Sequence, residues 1–584
     1  MTDPPPARDQ PADSAAPGPS APSFAKPLFL GEIHEDLVFP YPRMSREERD
    51  RVEALTASAR EFLGAHYDPR RAEAERWVGD DVLAGLGERG VLGLYVPTEY
   101  GGQGLTQTGY CKVFETIGAI DPTLAVVLGV HQSIGMKGIY MFGSEEQKQR
   151  FLPDLARGKK LAGFALTEPE AGSDAYHIKT RAARQPDGSW RLDGEKRWIG
   201  NGGKDVLVTF ARTDQGEHVA FILEKGMAGL EVGRRYDTMG LRANDLRHLR
   251  YNGVRVPEAN LLGAVGDGFR IAVEVLNNGR MSLGAGSVGA TKGLLDLALE
   301  HVTHRRQFGR PLAEFELVQE KLAWMVAYLY GLEATGYLAT GLVDRGVPDY
   351  SLESAMIKVA GTEFLWYAAN RVFQLAGGEA YMADRPYEKI LRDIRVFPIF
   401  EGSNDVLRLF IALSGLEPLG AELSDLGEKL DLATPLRGLG ALADYVGGRI
   451  RRRVHPDRLT RAHPDLAKLA DPLADQVRRL RETSERLLRR HGKAIKERQS
   501  HLKRLAHAAM DVFAQVATIS RVTDVLAAVG PEMSGEERYI AETFCTRARH
   551  RVERSLDQID HNDDDRMGAI ARATLHRGSY GHSI

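Results

Sequence analysis

Near residue 400 the chain reads RVFPIFEGSNDVLRLFIAL, with one carboxylate, Glu401, between an apolar run and the turn Gly402-Ser403-Asn404. Phe397, Ile399 and Phe400 precede it, and Val406, Leu407 and Phe410 follow. Such surroundings withhold water and lift a carboxyl pKa from about 4.3 toward neutrality. A carboxylate so prepared suits the abstraction of a weakly acidic proton. The same letters also fit a plainer reading, in which Ser403 and Asn404 cap an amphipathic helix and Glu401 stands by.

Other segments carry the same two-way choice. In GFALTEPEAGSDAYHIKT, the Thr167 and Ser173 hydroxyls and the turn amides suit a phosphate or the edge of a heterocycle. An Asx or Ser turn between strands explains them equally. Trp198, in EKRWIGNGG, either walls a flat cofactor or fills the core. Arg305 and Arg306, in HRRQFGRPLAEF, suit a phosphate, or a helix C-terminus followed by a Gly-Arg-Pro break. Gly377-Gly378 either admits a ligand to the backbone or ends a helix.

The elements that must hold these residues follow from periodicity. Residues 1–25, rich in Pro, Ala, Ser and Asp, read as a disordered leader without the basic and apolar regions of a secretory signal. Residues 26–160 read as helical. Ser45 with Glu48 three residues on forms a capping-box pattern, and Val52, Leu55, Ala59, Phe62 and Leu63 recur at helical spacing. From 161 to 265, short alternating or apolar runs are split by Gly, Asn and Asp, the mark of a β domain. Long helical patterns return over 266–415 and imply a bundle. Residues 416–584 add a further helical domain with a strongly basic middle. The order α, β, α excludes a Rossmann fold.

Composition narrows the function classes. At 584 residues the chain needs several cores. A net charge of -3 argues against wholesale nucleic-acid binding. Cys111 and Cys545 match no metal or redox spacing, so neither a metal site nor a structural disulfide is expected. No run of about 18 apolar residues occurs to span a membrane.

Taken in order and spacing, LTEPEAGSD, RWIGNGG, MGLRANDLRHLRYNGVRVPEANLLG, RRQFGRPLAEFELVQEKLA, QLAGGEAYMADRPYEKILRD and FEGSNDVLRLF resemble the acyl-CoA dehydrogenase family. SFAKPLFLGEIHEDLVFPYP, GVHQSIGMKGIYMFG and the added C-terminal helices resemble its very-long-chain branch. The resemblance implies an α+β architecture: an N-terminal helical domain, a central β-barrel domain, a four-helix bundle carrying the catalytic Glu, and an extra helical domain.

It also implies chemistry. The family uses FAD to remove one hydrogen from each of C2 and C3 of an acyl-CoA, and Glu401 occupies the position of its base. Arg280 matches the arginine that orients the base, and Asn277 a position near CoA. Ser173, Phe400 and Gly402 would meet substrate. Phe164, Leu166, Thr167, Ser173, Trp198, Ser403 and Asp405 would contact FAD. Arg305, Gln307, Phe308, Gln374 and Gly378 would reach the FAD of a neighbouring subunit, which implies a homodimer. Gly200 stands where a flavin-bonding Thr or Ser is usual, and Leu246 where a Thr is usual.

The expected reaction is oxidation of long- or very-long-chain acyl-CoA to the trans-2-enoyl-CoA, with electrons passed to an electron-transfer flavoprotein. The alternatives are an acyl-CoA oxidase and a non-enzymatic assembly role. TLAVVLGVHQSIG, with Gly129, is expected to line the acyl tunnel; ordinary helix packing explains it too. The basic region, including Arg451, Arg452, Arg453, Arg489 and Arg490, admits solvated helix faces, anionic lipid or, remotely, nucleic acid. A cytoplasmic location with peripheral contact at the inner face of the membrane is the expectation.

Overall fold

The computed structural model describes residues 23–429, 457–530, 532 and 534–582. The first long helix, Arg46–His66, starts where the sequence places it, and the Glu48 amide donates to Ser45 Oγ at 3.1 Å. The capping box is only half made. Instead of returning to Ser45, the Glu48 carboxylate accepts the Thr106 amide at 2.8 Å and ties down the start of the next buried helix, Gln107–Ile120.

That helix lies flush on the helix Gly268–His304. A Cβ at Gly289 would meet the Glu115 carbonyl at 1.9 Å, and one at Gly118 would meet the Gly286 carbonyl at 2.6 Å. Glycine is required here so that the two backbones can touch. The contact fixes the wall of the site described below.

The β region forms one sheet. Its strands run in the order Leu230–Arg235, Arg247–Val256, Trp190–Ile199, Arg181–Arg184, Val206–Thr213, His218–Glu224 and Leu261–Leu262. Ala162–Ala165 joins as a parallel partner of Val206–Thr213. Phe164 therefore lies opposite Val208, and the LTEPEAGSD turn leaves the sheet beside the end of the Trp190–Ile199 strand. The Arg197 amide donates to the Thr167 carbonyl at 2.9 Å and closes that junction.

Four helices follow as expected: Gly268–His304, Glu316–Asp344, Ser351–Ala376 and Asn404–Lys429. The helix end expected at Arg305 is met: the helix stops at His304 with Arg305 as its C-terminal cap, and Arg306–Gln307 then pairs antiparallel with Arg310–Pro311. Phe308 and Gly309, both at positive φ (51° and 83°), form the two-residue turn that suits the twist of such a hairpin.

The leader boundary also needs correction. Ser23, Phe24 and Ala25 are buried, so the folded chain is under way by residue 23; the rest of the expected leader lies outside the described residues. The carboxylate of Glu353 accepts from Ser23 Oγ (3.0 Å), the Phe24 amide (2.9 Å) and the Ala25 amide (2.8 Å). Phe24 packs on Phe513 at 5.5 Å between ring centroids. A buried backbone needs acceptors, and here a side chain 330 residues away supplies one.

The C-terminal helices Ala467–His491, Gln499–Val529 and Gly535–Asp557 share a core with this N-terminal segment and the bundle, while the last helix, Asp564–Arg577, buries no residue. Gln499–Val529 is long and apolar enough to cross a membrane by length and composition. Its residues Leu502, Leu505, Val512, Phe513 and Val516 are buried within that core. Many of the arginines here bind neighbouring helices: Arg479 pairs with Asp557 (2.7 Å), Arg486 with Asp560 (2.8 Å), Arg504 with Asp564 (2.6 Å) and Arg551 with Asp511 (2.5 Å). Arg489 pairs with Glu485 at 2.8 Å and Arg490 is exposed; Arg451, Arg452 and Arg453 lie outside the described residues. Cys111 and Cys545 are free and buried.

Candidate active site

Glu401 sits on a turn that the sequence alone does not show to be strained. Its φ is +56° and that of Gly402 is +87°. A non-glycine residue in this region costs free energy and persists only where its surroundings hold it. Two cations do so. Arg280 Nε donates to the Glu401 carbonyl at 3.2 Å, and Lys358 Nζ donates to the Gly402 carbonyl at 2.8 Å and to Asn404 Oδ1 at 2.8 Å. Arg280 is held in turn by Asn277, whose Oδ1 accepts Nη1–H at 2.8 Å. Asn277 therefore sits buried behind the arginine.

The turn aims the carboxylate inward. The residue as a whole is partly open, but Oε2 is sequestered and has no hydrogen-bond partner. Burial pushes its pKa up to about 7, with Arg280 and Lys358 pulling the other way. Burial likewise pushes Lys358 down to about 7, against the pull of Glu401. An orphaned, dehydrated carboxylate poised near neutrality has the properties that general-base chemistry needs.

Gly279 makes room for it. A Cβ there would meet Glu401 Oε2 and Ile134 Cγ2, each at 2.8 Å. Gly279→Ala is expected to fold and to displace the carboxylate by a fraction of an ångström or more, lowering kcat by about 10- to 100-fold. Single-turnover kinetics checks this; an unchanged rate would show that the carboxylate has slack.

Two cavities meet at this residue. The larger, about 580 Å³, is lined by Phe164, Leu166, Thr167, Ser173, Trp198, Gly200, Arg280, Phe400, Glu401 and Gly402. The narrower one runs between the Gln107–Ile120 and Gly268–His304 helices, past Phe114, Gly129, Ser133, Ser282 and Gly286. Val126, Val130, Ile134, Phe400 and Glu401 border both. Phe400 stacks on Phe397, 5.5 Å between centroids and 20° between planes, and forms an apolar shoulder beside Glu401.

The large cavity suits a flat, polar-edged group. Trp198 is half-exposed at its rim, at φ +59°, with the Arg197 guanidinium 4.8 Å from the ring. Asn244 Oδ1 is buried without a partner against the wall. A Cβ at Gly200 would lie 3.2 Å from Val130 Cγ2 and 3.5 Å from Asn244 Nδ2, so a larger side chain would crowd the helix.

The remaining expected residues lie elsewhere. Arg305, Gln307, Phe308, Gln374 and Gly378 are all on the exterior, and Phe308 is 93% exposed. They do not line the Glu401 cavities. Ser403 Oγ accepts the Val406 amide at 3.4 Å, and Asp405 faces solvent near Arg408 at 3.3 Å. Sequence reasoning missed Lys358, Asn404 and Gly279. A lysine in the otherwise apolar LESAMIKVAG face, four residues after Ser354 and four before Thr362, was the available signal.

It also missed how the LTEPEAGSD turn is fastened. Glu168 and Lys196 form a buried pair at 2.8 Å, and Lys196 Nζ also donates to the Leu166 carbonyl at 3.0 Å. Thr180 donates to the same carboxylate through Oγ1 (2.6 Å) and N (3.0 Å), and the Lys179 amide donates to its other oxygen. Burial raises the Glu168 pKa, but Lys196 and these donors outweigh it and hold the group below its ordinary value. Burial draws Lys196 down to about 8, so the pair is ionised at neutral pH.

Family models match along the chain: the acyl-CoA dehydrogenase N-terminal domain at residues 49–159, its middle domain at 163–254 and its C-terminal domain at 266–416. The chain belongs to the acyl-CoA dehydrogenase family. Residues 464–580 match a further model, the ACAD9/ACADV C-terminal domain. The chain is 37% identical over 577 residues to the mitochondrial very long-chain specific acyl-CoA dehydrogenase of Homo sapiens, covering 95% of this chain and 88% of that one. It is 34% identical over 579 residues to the probable acyl-CoA dehydrogenase FadE10 of Mycobacterium tuberculosis, covering 94% and 88%. Among solved structures, an acyl-CoA dehydrogenase complexed with FAD from Bacillus anthracis superposes with a TM-score of 0.80 at 29% identity, covering 91% of each chain. An electron transferring flavoprotein study of Acidaminococcus fermentans contributes a chain with a TM-score of 0.60 at 33% identity, covering 63% of this chain and 98% of that one.

This member of the acyl-CoA dehydrogenase family is thus a flavoprotein oxidoreductase of fatty-acid metabolism that acts on acyl-CoA, with FAD as its cofactor.

Proposed function

We propose that the substrates are long- or very-long-chain acyl-CoA thioesters, oxidised to the trans-2-enoyl-CoA, with electrons leaving to an electron-transfer flavoprotein. What supports the chain length is the 37% identity to the very long-chain specific acyl-CoA dehydrogenase of Homo sapiens over 95% of this chain. The narrow cavity, about 40 Å³, starts at Glu401 and runs past Gly129 and Ser133 to Phe114 and Gly286, and Glu401 is its only charged lining residue. An extended acyl chain finds apolar walls there, with no charge to desolvate.

The side chains divide the work. Glu401 Oε2 takes the C2 proton. The Glu401 amide donates to no acceptor among the described residues and is available to the thioester carbonyl, where charge builds as the proton leaves. Gly402 lets that carbonyl approach. Arg280 and Lys358 fix the turn and temper the pKa of the base. Phe164, Leu166, Thr167, Ser173, Trp198 and Gly200 would hold the flavin portion of FAD, and Ser403 and Asp405 would lie near it. Bound FAD supplies the acceptor for the hydride lost from C3. The apolar walls exclude water from both sites.

Arg305, Gln307, Phe308, Gln374 and Gly378, all exposed, would reach the cofactor of a second subunit in a homodimer. Exposed Leu317, Tyr367, Tyr381 and Met382 add apolar surface suited to that contact. We place the enzyme in the cytoplasm, with the basic C-terminal region touching the inner face of the membrane. The acceptor is supported by the structural likeness to a chain from an electron transferring flavoprotein study.

Anaerobic flavin bleaching by acyl-CoAs from C4 to C20 tests the reading. The reduction rate is expected to peak among the long chains. A peak at C4 to C6 would overturn the chain-length assignment. Peroxide formed at the turnover rate under air would replace the flavoprotein acceptor with oxygen.

A further inference from the structure

Among the described residues, two buried side-chain atoms in the wall of the large cavity lack a hydrogen-bond partner: Glu401 Oε2 and Asn244 Oδ1. The chemistry above accounts for the first and leaves the second unused. Asn244 is 7% exposed, and neither end of its carboxamide makes a hydrogen bond among the described residues. A buried amide without partners is costly and persists where something else completes it.

The turn that carries Asn244 is fastened on both sides. The Leu241 amide donates to Asp393 Oδ1 at 2.7 Å, and the Asn244 amide donates back to the Leu241 carbonyl at 3.0 Å. On the other side, Asp245 Oδ1 accepts Arg247 Nε at 2.6 Å and Arg235 Nε at 3.3 Å, and its Oδ2 accepts the Gly203 amide at 3.0 Å. Asp245 thus spends its carboxylate on the fold, whereas the carboxamide beside it spends nothing. A side chain on so fixed a turn, with its hydrogen bonds unspent, is preorganised for a ligand.

Its place in the wall says which ligand. Gly200 lies next to it and offers no side chain: a Cβ there would stand 3.5 Å from Asn244 Nδ2 and 3.2 Å from Val130 Cγ2. Val130 borders both cavities, so the carboxamide lies near the junction where the large cavity opens toward the acyl channel. Val126, Ile199 and Leu246 line the same wall and are apolar. They can cover the faces of a flat ring but give its polar edge nothing.

We propose that Asn244 is a cofactor contact, whose carboxamide hydrogen-bonds the polar edge of the isoalloxazine and helps to set its reduction potential. That edge presents carbonyl oxygens and a nitrogen that accepts a hydrogen bond when the ring is oxidised and carries a proton when it is reduced. A carboxamide has a donor end and an acceptor end, so it serves the edge in both states. The inference rests on the placement of the flavin in the large cavity.

The test uses the FAD-loaded full-length enzyme. Asn244→Leu keeps the volume and removes both hydrogen-bonding ends. FAD released on dilution, read by flavin fluorescence, is expected to give a Kd about 10-fold above that of the wild type, the loss of about one hydrogen bond. The midpoint potential, read by reductive titration against a dye, is expected to shift with it. Asn244→Asp keeps the acceptor oxygen and puts a negative charge in place of the donor. It is expected to lower the potential, because that charge opposes the gain of electrons. Lost packing alone would weaken FAD in the leucine variant without this signed shift in the aspartate variant.

Melting with bound flavin reports folding, and the aspartate variant carries the test if the leucine variant fails to fold. A wild-type potential in the folded variants would overturn the proposal and leave Asn244 as a water site. Trp198→Ala keeps the underlying placement separate. If it leaves the flavin absorption band unchanged, the flavin does not lie in this cavity; a changed band with an unaltered potential in the Asn244 variants sinks only the contact.

Discussion

Glu401→Gln is expected to slow flavin bleaching by palmitoyl-CoA by about 10³-fold or more and, at the same time, to stabilise the protein above pH 7. The first effect follows because the amide cannot take a proton from carbon, and general-base catalysis alone is worth about 10² to 10⁴. The second follows from the shifted titration. Folding lifts the carboxyl from 4.5 to about 7 because burial disfavours its charge. Below the unfolded value it is protonated in both states and costs nothing. As pH rises through the folded value, the unfolded chain gains by releasing the proton, and stability falls by about 3 kcal/mol. Glutamine carries no such cost.

The melting difference between variant and wild type should therefore be small near pH 4.5, grow toward pH 7 and level off above it. A difference that stays flat with pH would mean that the carboxyl titrates normally, and the dehydrated base would be withdrawn. In the wild type, kcat/KM should rise with pH through about 7 as the base loses its proton. A normal flavin reduction rate in Glu401→Gln would remove the assignment altogether.

Legibility varied with how local each cause is. The helix Arg46–His66 was readable because burial on one face repeats every turn, at Val52, Ala59, Phe62 and Leu63. The strand region was readable from its breaks. Glu401 was visible as an acid among apolar residues, but its positive φ was not, because two cations from distant helices impose it. Lys358 and Arg280 lie 43 and 121 residues before Glu401 and meet it only through bundle packing. The helix end at Arg305 was readable because the Gly-Arg-Pro break is a local signal, whereas the two-residue hairpin at Phe308-Gly309 that follows it was not foreseen. Ser23 to Ala25 were assigned to the leader because their composition is leader-like. Their acceptor, Glu353, has no local trace.

The Glu168–Lys196 pair extends this lesson to the cofactor side, and breaking it carries the largest expected cost to the fold. Lys196→Met fills the space but leaves Glu168 as a buried carboxylate without its cation. Removing one member of a buried pair costs about 3–5 kcal/mol, because the other charge remains desolvated. Thr180 and the Lys179 amide still donate to it, so the loss should fall within this range. Lys196 also holds the Leu166 carbonyl, next to Thr167 at the cavity wall. The variant should therefore lose flavin as well as stability, read as a lower flavin-to-protein absorbance ratio after gel filtration. Glu168→Gln with Lys196→Met removes both charges and should recover much of the stability, since neither partner is left ionised. Recovery of stability without recovery of flavin would show that the Leu166 tie positions the turn independently of charge. If the single variant melts like the wild type, Glu168 is not ionised in the fold and the pair does not fasten the turn.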